Sequence, residues 1–286
     1  MTTKDRAWHA LSARLFEALS PVAKAALVGG THVRRFEDNL VPGFSVGQVS
    51  RLRAQLAAGA GSELRPTATL KRPAHAPYSS AALAINAFGR WLGSEDHLRI
   101  VGLGGFERPL MVEHKVRIKH GGGTANLDSY LEGPDIVVGV ESKLTEQLAA
   151  HTPVTWKPPY GSANMAELLS GGWKQVLQDS LAGRSAPRYV GLEQLLKHAL
   201  ALNSHADSRP THLVYCYWEP ENGDEFDEVV RHRMEVADLM QRVGDAEPLL
   251  HATTYAALFD DWSSLPGPGW IDQHVRELRA RYAVPI

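Results

Sequence analysis

The sequence holds a single cysteine in 286 residues, Cys216, set inside the apolar run Leu213-Val214-Tyr215-Cys216-Tyr217-Trp218. One thiol excludes a disulfide partner within the chain and excludes a zinc knuckle. No apolar run approaches the ~20 residues that a bilayer-spanning helix requires, so no membrane span is expected. The opening residues Met1-Thr2-Thr3-Lys4-Asp5-Arg6 enter an amphipathic helical pattern and lack the apolar block of a secretory leader. A cytoplasmic protein is the resulting expectation. The thirteen histidines contain no His-Glu-x-x-His, and no Gly-x-Ser-x-Gly elbow marks an α/β-hydrolase. Two glycine clusters also fail. Gly102-Leu103-Gly104-Gly105-Phe106 lacks the third glycine of a dinucleotide loop, and Glu107-Arg108-Pro109 does not open a helix. Gly121-Gly122-Gly123-Thr124 lacks the Gly-Lys-Ser/Thr of a phosphate loop and reads as a hairpin turn. Excess positive charge is missing too: 30 Lys and Arg against 32 Asp and Glu give a net charge of -2. That balance gives no support to strong sequence-independent nucleic-acid binding, and no reading helix or basic ribbon stands out.

What is present is an ordinary apolar fraction of 44% and a chain long enough for one sizeable core. Helical spacing predicts helices over about residues 5–28, interrupted near Pro21, and over 45–58, 81–91, 165–181, 192–202, 226–243 and 271–282. Strands are expected over 98–101, 110–118, 126–131, 135–143, 211–218 and 249–253. Gly59-Ala60-Gly61-Ser62, followed by Pro66, Pro73 and Pro77, is the most linker-like stretch. It suggests an N-terminal helical arm with linker over 1–78 and an α/β domain over 79–286. Charge is unevenly spread. Residues 1–78 carry eleven bases against five acids, and residues 205–262 carry thirteen acids against four bases. The basic arm could meet phosphates while the acidic part faces away; solvated helix surfaces are the plainer reading.

One stretch calls for chemistry. Asn126-Leu127-Asp128-Ser129-Tyr130-Leu131 reads as a strand, Glu132-Gly133-Pro134 as a turn, and Asp135 to Lys143 as a second strand ending in Glu141-Ser142-Lys143. Alternation puts Glu141 and Lys143 on one face, roughly 7 Å apart along the strand. An acid and an ammonium at the end of an apolar strand cost desolvation energy. Two carboxylates on neighbouring strand ends, with oxygen ligands only, suit Mg²⁺. An ammonium beside such an ion could orient or activate a water, since burial lowers a lysine's pKa. The plainer alternative is a chance Glu-x-Lys that pairs with other side chains, which the adjacency of the two strands would decide.

These residues resemble the catalytic core of the PD-(D/E)XK nuclease superfamily, the restriction-endonuclease-like fold. They look most like uncharacterised bacterial proteins assigned as restriction endonucleases. The specific match runs from Asn126 to Glu146, and a looser order of elements extends it from Ser79 to Trp218. The N-terminal arm and the acidic C-terminal third fall outside it. The resemblance implies an α/β fold: a restriction-endonuclease-like core with a mixed central sheet flanked by helices, plus the N-terminal arm and C-terminal helical additions. It implies that Asp128, Glu141 and the backbone carbonyl of Ser142 hold Mg²⁺, with Mn²⁺ able to substitute, and that Lys143 positions the attacking water. Leu127 stands where the family has proline. The first core helix, Ala81 to Ala87, offers none of the acids that relatives often place there. Glu113 could fill that role or be a solvated strand residue. Gln175 resembles the family's accessory polar helix position or is a plain surface glutamine. The implied activity is Mg²⁺-dependent hydrolysis of DNA phosphodiester bonds, with a homodimer supplying the two sites that cutting both strands needs. The competing expectation is a catalytically inactive nucleic-acid or protein-binding module on the same fold, favoured by the net charge and the missing helix acid.

Overall fold

In a computed structural model the sheet takes shape from two runs of β-branched and aromatic residues separated by helices. The structure describes residues 1–58, 64, 73–152, 154–205 and 207–286. Most of the expected linker, including Gly59-Ala60-Gly61-Ser62 and Pro66, lies outside the described residues. The helices before the sheet are α1 (Thr3–Ala18), α2 (Pro21–Ala25), α3 (Val46–Ala58) and α4 (Ser80–Phe88). Strands β1 (Met111–Ile118), β2 (Gly123–Gly133) and β3 (Ile136–Lys143) follow. Next come α5 (Ala163–Ala166), α6 (Gly171–Leu181) and α7 (Leu192–His205), then β4 (Thr211–Tyr217), α8 (Asp227–Val243) and β5 (Leu249–Thr254). The described chain closes with α9 (Tyr255–Ser263) and α10 (Trp270–Tyr282).

The five strands stand in sequence order, β1-β2-β3-β4-β5. The first two pairings are antiparallel and the last two parallel, so the sheet is mixed. Every residue of β4 is buried, because helices cover both of its faces. This is where Cys216 lies, and burial pushes its thiol up, away from the reactive thiolate. One layer holds α1, α3, α4, α9 and α10, whose Leu11, Leu52, Phe88, Tyr255 and Leu278 join Val138 and Val140 in a single core. The other holds α6 and α7, with Val176, Leu196 and Leu200 against Leu127 and Leu213. Burying each of these large apolar side chains stabilises by roughly 1.5–3 kcal/mol. Among the described residues no helix is long and apolar enough to cross a membrane.

Three local expectations change. The segment 98–101 is no strand. Ile100 and Leu103 exchange backbone hydrogen bonds of 2.9 and 2.8 Å around a turn in which Val101 and Gly102 have φ of 47° and 82°. Two successive positive φ values make a tight reversal, and Gly102 supplies one without strain. The long helix expected over 165–181 divides into α5 and α6, because Gly171, the first residue of the second, takes φ 46°. Helix α9, unforeseen, starts where the Thr254 hydroxyl accepts a hydrogen bond from the Ala257 N–H at 3.1 Å.

The β1–β2 hairpin has a further irregularity. Val112 and Leu131 belong to the α4-side core, whereas Val116, Ala125 and Leu127 belong to the α7-side core. Residues an even number apart on a strand normally share a face. The hairpin therefore switches layers between them, at Glu113 on β1 and Asp128 on β2. Glu113 carries the strain of that switch, with φ of 51°. A non-glycine residue in the left-handed region costs about 1 kcal/mol or more and persists only where its surroundings fix it.

Candidate active site

The pairing of β2 with β3 ends at Ser129↔Val140. One step further the strands part, and the Ser142 N–H donates to the Asp128 Oδ2 at 2.7 Å in place of a backbone carbonyl. The splayed end opens a cleft of about 770 Å³ lined by Glu113, Asp128, Ser142, Lys143 and Glu146. Glu113, on the neighbouring strand, accepts from the Asn126 side chain at 2.5 Å. The structure thus brings together Asp128, Glu141, Ser142, Lys143 and Glu113. The two strands are adjacent and antiparallel.

Glu141 is fully buried on the face of the sheet covered by α7. One carboxylate oxygen pairs with the Lys143 ammonium, and the other lies 2.5 Å from the His198 Nε2. Burial alone would raise this carboxyl; Lys143 and His198 prevail and hold it at about 2. Because the ionised carboxylate only accepts, the His198 Nε2 carries the proton. Lys143 also donates to the Gln194 Oε1 at 2.8 Å. Burial would lower the Lys143 ammonium, but Glu141, Glu146 and Asp128 raise it above its ordinary range. This runs against the expectation of a lysine whose pKa falls on burial: the surrounding carboxylates favour the ammonium, which can orient a water. Asp128 behaves oppositely. Burial first, then the carboxylates of Glu141 and Glu113, push its carboxyl well above the usual range, against the pull of Lys143 and the Ser142 amide.

The helix acid missing at Ala81 to Ala87 has a neighbour in Glu146. The Ser80 hydroxyl donates to this carboxylate at 2.6 Å, and the Thr145 N–H at 3.0 Å. Ser79 caps α4, accepting from the Ala82 N–H at 3.3 Å, so Ser80 is left free to hold Glu146. Ser142 ties the same helix to the far end of the chain: its hydroxyl donates to the Ser80 carbonyl at 3.3 Å and meets the Tyr255 hydroxyl at 2.7 Å. The opposite wall is aromatic. Trp8 stacks on Tyr78 with centroids 4.5 Å apart and donates to the Thr145 hydroxyl at 3.0 Å.

Gln175 is not part of this cluster. It sits exposed on α6 and donates to Asp179 at 2.9 Å. Gln194 and His198, four apart on one face of α7, are the polar helix residues beside Glu141 and Lys143. Their spacing was visible within the expected helix 192–202, but nothing in the sequence said which strand that face would meet.

The donors at and behind the cleft are oxygens, three of them buried or half-buried carboxylates, and one, Asp128, is driven toward its protonated form by burial and then by the other two. A cation of oxygen preference would relieve that repulsion. Among the described residues no group of three or more His, Cys, Asp or Glu side chains is close enough to hold a metal unaided. Mg²⁺ asks for only one or two protein carboxylates and keeps several waters, so the residues fit it.

A family model described as Restriction Endonuclease associating with ARP matches residues 31–283. The chain belongs to this REase-ARP family. The REase-ARP match takes in every cleft residue except Lys4 and Trp8, as well as α7 with Gln194 and His198. No curated protein and no solved structure matches the chain. The α/β architecture, with a five-stranded mixed sheet and helices at both ends, is that of a restriction-endonuclease-like core.

Proposed function

We propose that the protein is a Mg²⁺-dependent nuclease of the PD-(D/E)XK type that hydrolyses DNA phosphodiester bonds. The observation that carries this reading is the meeting of Asp128, Glu113 and Lys143 in the cleft at the splayed end of β2 and β3, with Glu141 buried behind Lys143. The family description supports DNA as the substrate. Asp128 and Glu141 would hold the ion with the Ser142 carbonyl, Glu113 adding a further carboxylate, and Mn²⁺ could replace Mg²⁺. When bound, the ion would polarise a phosphoryl oxygen and offset the charge that develops during attack. The chain's own contribution is positional. Glu141 and Gln194 fix the Lys143 ammonium, which orients the attacking water, and His198 holds Glu141. Gln194 takes the accessory place first considered for Gln175. A homodimer would cut both strands.

The test is incubation of supercoiled and linear DNA with the protein and Mg²⁺ or Mn²⁺, beside Asp128→Asn and Lys143→Ala. Cleavage by the wild type and none by either variant is expected. Cleavage unaltered in both variants would overturn the assignment. One observation favours the second reading, a catalytically inactive binding module: both Glu141 oxygens are already engaged by Lys143 and His198. Calorimetry decides between them, since a module would show no Mg²⁺ or Mn²⁺ binding that depends on Asp128.

A further inference from the structure

Beyond Asp128 the β1–β2 hairpin leaves the rest of the sheet and continues as a two-stranded ribbon. Its inner face, with Val116, Ile118, Ala125 and Leu127, packs on the α7 side. Its outer face carries Lys115 and Arg117, with Lys119 just past the strand, and all three are exposed. Opposite them on β2 stand Asn126 and Thr124 in register, so no acid lies across the strand. None of the three cations makes an ion pair or a side-chain hydrogen bond among the described residues. Elsewhere exposed arginines are commonly neutralised, as Arg233 is by Glu219 and Asp224. The ribbon is also held in place. The His205 Nε2 lies 2.8 Å from the Arg117 carbonyl, and the Lys119 N–H donates to the Ser204 hydroxyl at 3.1 Å.

We infer that this outer face is the track on which duplex DNA lies, running from the carboxylate cleft along Lys115, Arg117 and Lys119. The inference rests on the nuclease reading above and adds where the substrate binds and which form of it. Three features carry it. Asn126 joins the two regions, because it faces Lys115 across the strands while its side chain donates to Glu113 in the cleft. Glu113 to Lys119 spans about 20 Å at the usual strand rise, roughly six base-pair steps of B-form DNA. A two-stranded ribbon fits the major groove of B-DNA, whereas the deep, narrow major groove of A-form RNA does not admit side chains. Charge placement agrees. The acid-rich stretch 205–262 contains β4 and β5, which lie on the far side of the sheet from β1, so a chain of net charge -2 still presents a basic edge next to its cleft.

The experiment is fluorescence anisotropy of a labelled duplex with the full chain in EDTA, as a function of salt. It compares the wild type, the triple variant Lys115→Ala/Arg117→Ala/Lys119→Ala, and Arg231→Ala as a control on α8. Loss of three phosphate contacts should lower the log–log salt slope by about 2.7 and weaken binding at 0.1 M salt roughly a hundredfold or more. Arg231→Ala should match the wild type, and the melting temperature of the triple variant should be unchanged, because the apolar face is untouched. A triple variant that binds with the wild-type slope overturns the inference. So does tighter binding of a duplex RNA of the same length. Charged edge strands also prevent edge-to-edge pairing, so a triple variant that self-associates yet binds DNA normally assigns the lysines to that purpose and sinks the track. A parallel cleavage assay with Mg²⁺ separates the two claims. Wild-type cleavage with the triple variant equally active at low DNA concentration removes the track and leaves the nuclease standing, whereas no cleavage and no binding by the wild type removes both.

Discussion

Replacing Lys143 by methionine keeps the length of the side chain and removes its charge from a place where the side chain is only 9% exposed. Glu141 is then left fully buried with His198 as its remaining charged-form donor. Breaking a buried pair by deleting one partner typically costs about 3–5 kcal/mol, and the surviving His198 contact argues for the lower end. The titration of Glu141 gives the sign of the pH dependence. Its carboxyl is held at about 2, against an ordinary value near 4.5. A lowered carboxylate pKa contributes stability that is present above pH 4.5 and lost as pH falls toward 2. A loss of roughly 3 kcal/mol at neutral pH is, for a chain of this length, a fall in melting temperature of about 5 °C. Replacing both partners, Glu141→Met with Lys143→Met, should recover most of that loss, because two apolar groups no longer carry a desolvation cost. Neither variant should cleave DNA. Thermal melting in EDTA of the wild type, both single variants and the double variant gives the cycle. A Lys143→Met protein within 1 kcal/mol of wild type would refute the buried pairing. A double variant no more stable than the single ones would refute the claim that desolvation, and not packing, sets its cost.

Asp128→Asn should stabilise the metal-free protein, because it relieves repulsion among three carboxylates while keeping an acceptor for the Ser142 N–H; melting in EDTA and calorimetry with Mn²⁺ should give a higher midpoint and no ion binding. Gln194→Ala should lower the cleavage rate without removing it, since one of the Lys143 contacts is lost, whereas Gln175→Ala should cleave as wild type does; equal effects would sink the assignment of Gln194. His274 is buried, and burial lowers its pKa to about 4. Its neutral form is the folded one, so below about pH 6.5 the unfolded chain takes up the proton first and stability falls as pH drops toward 4, by roughly 2–3 kcal/mol between pH 7 and 4.5. His274→Gln keeps a donor for the Ala87 carbonyl, accepted from Nε2 at 3.1 Å, and should flatten that part of the profile in urea unfolding measured at both pH values.

Strand β3 was legible because three physical signals coincide in it: β-branched residues, a preceding turn, and an abrupt polar end. Helices α3, α8 and α10 were legible from their apolar spacing. Segment 98–101 was misread because its apolar run looks like a strand, and only the φ of Val101 distinguishes a turn. The site was legible in part. Asp128, Glu141 and Lys143 stood out because charge at the end of an apolar strand is costly. His198 and Gln194 did not, since their importance depends on which strand α7 covers, a matter of tertiary packing. Gln175 shows the converse: a glutamine on a helix after the strand has the right local pattern and faces solvent. The basic ribbon was overlooked although Lys115, Val116, Arg117, Ile118 and Lys119 alternate as an edge strand should. Summed over the chain, its charge is cancelled by acids that the fold places on the far side of the sheet.

The change of layers at Glu113 and Asp128 ties these observations together. A hairpin that stayed on one layer would carry its pairing past Ser129, and the Ser142 N–H would then meet a backbone carbonyl. Because both strands turn over at the same level, the ladder ends there and Asp128 supplies the acceptor instead. The same turn sends Lys115 and Arg117 outward while Val116 and Ile118 cover α7. The strained φ of Glu113 is thus the local cost of an arrangement that opens a carboxylate cleft and extends a basic face from its edge. A glycine at position 113 would relieve the strain but remove a carboxylate, so the position combines two demands that conflict: a left-handed backbone and a charged side chain facing the cleft.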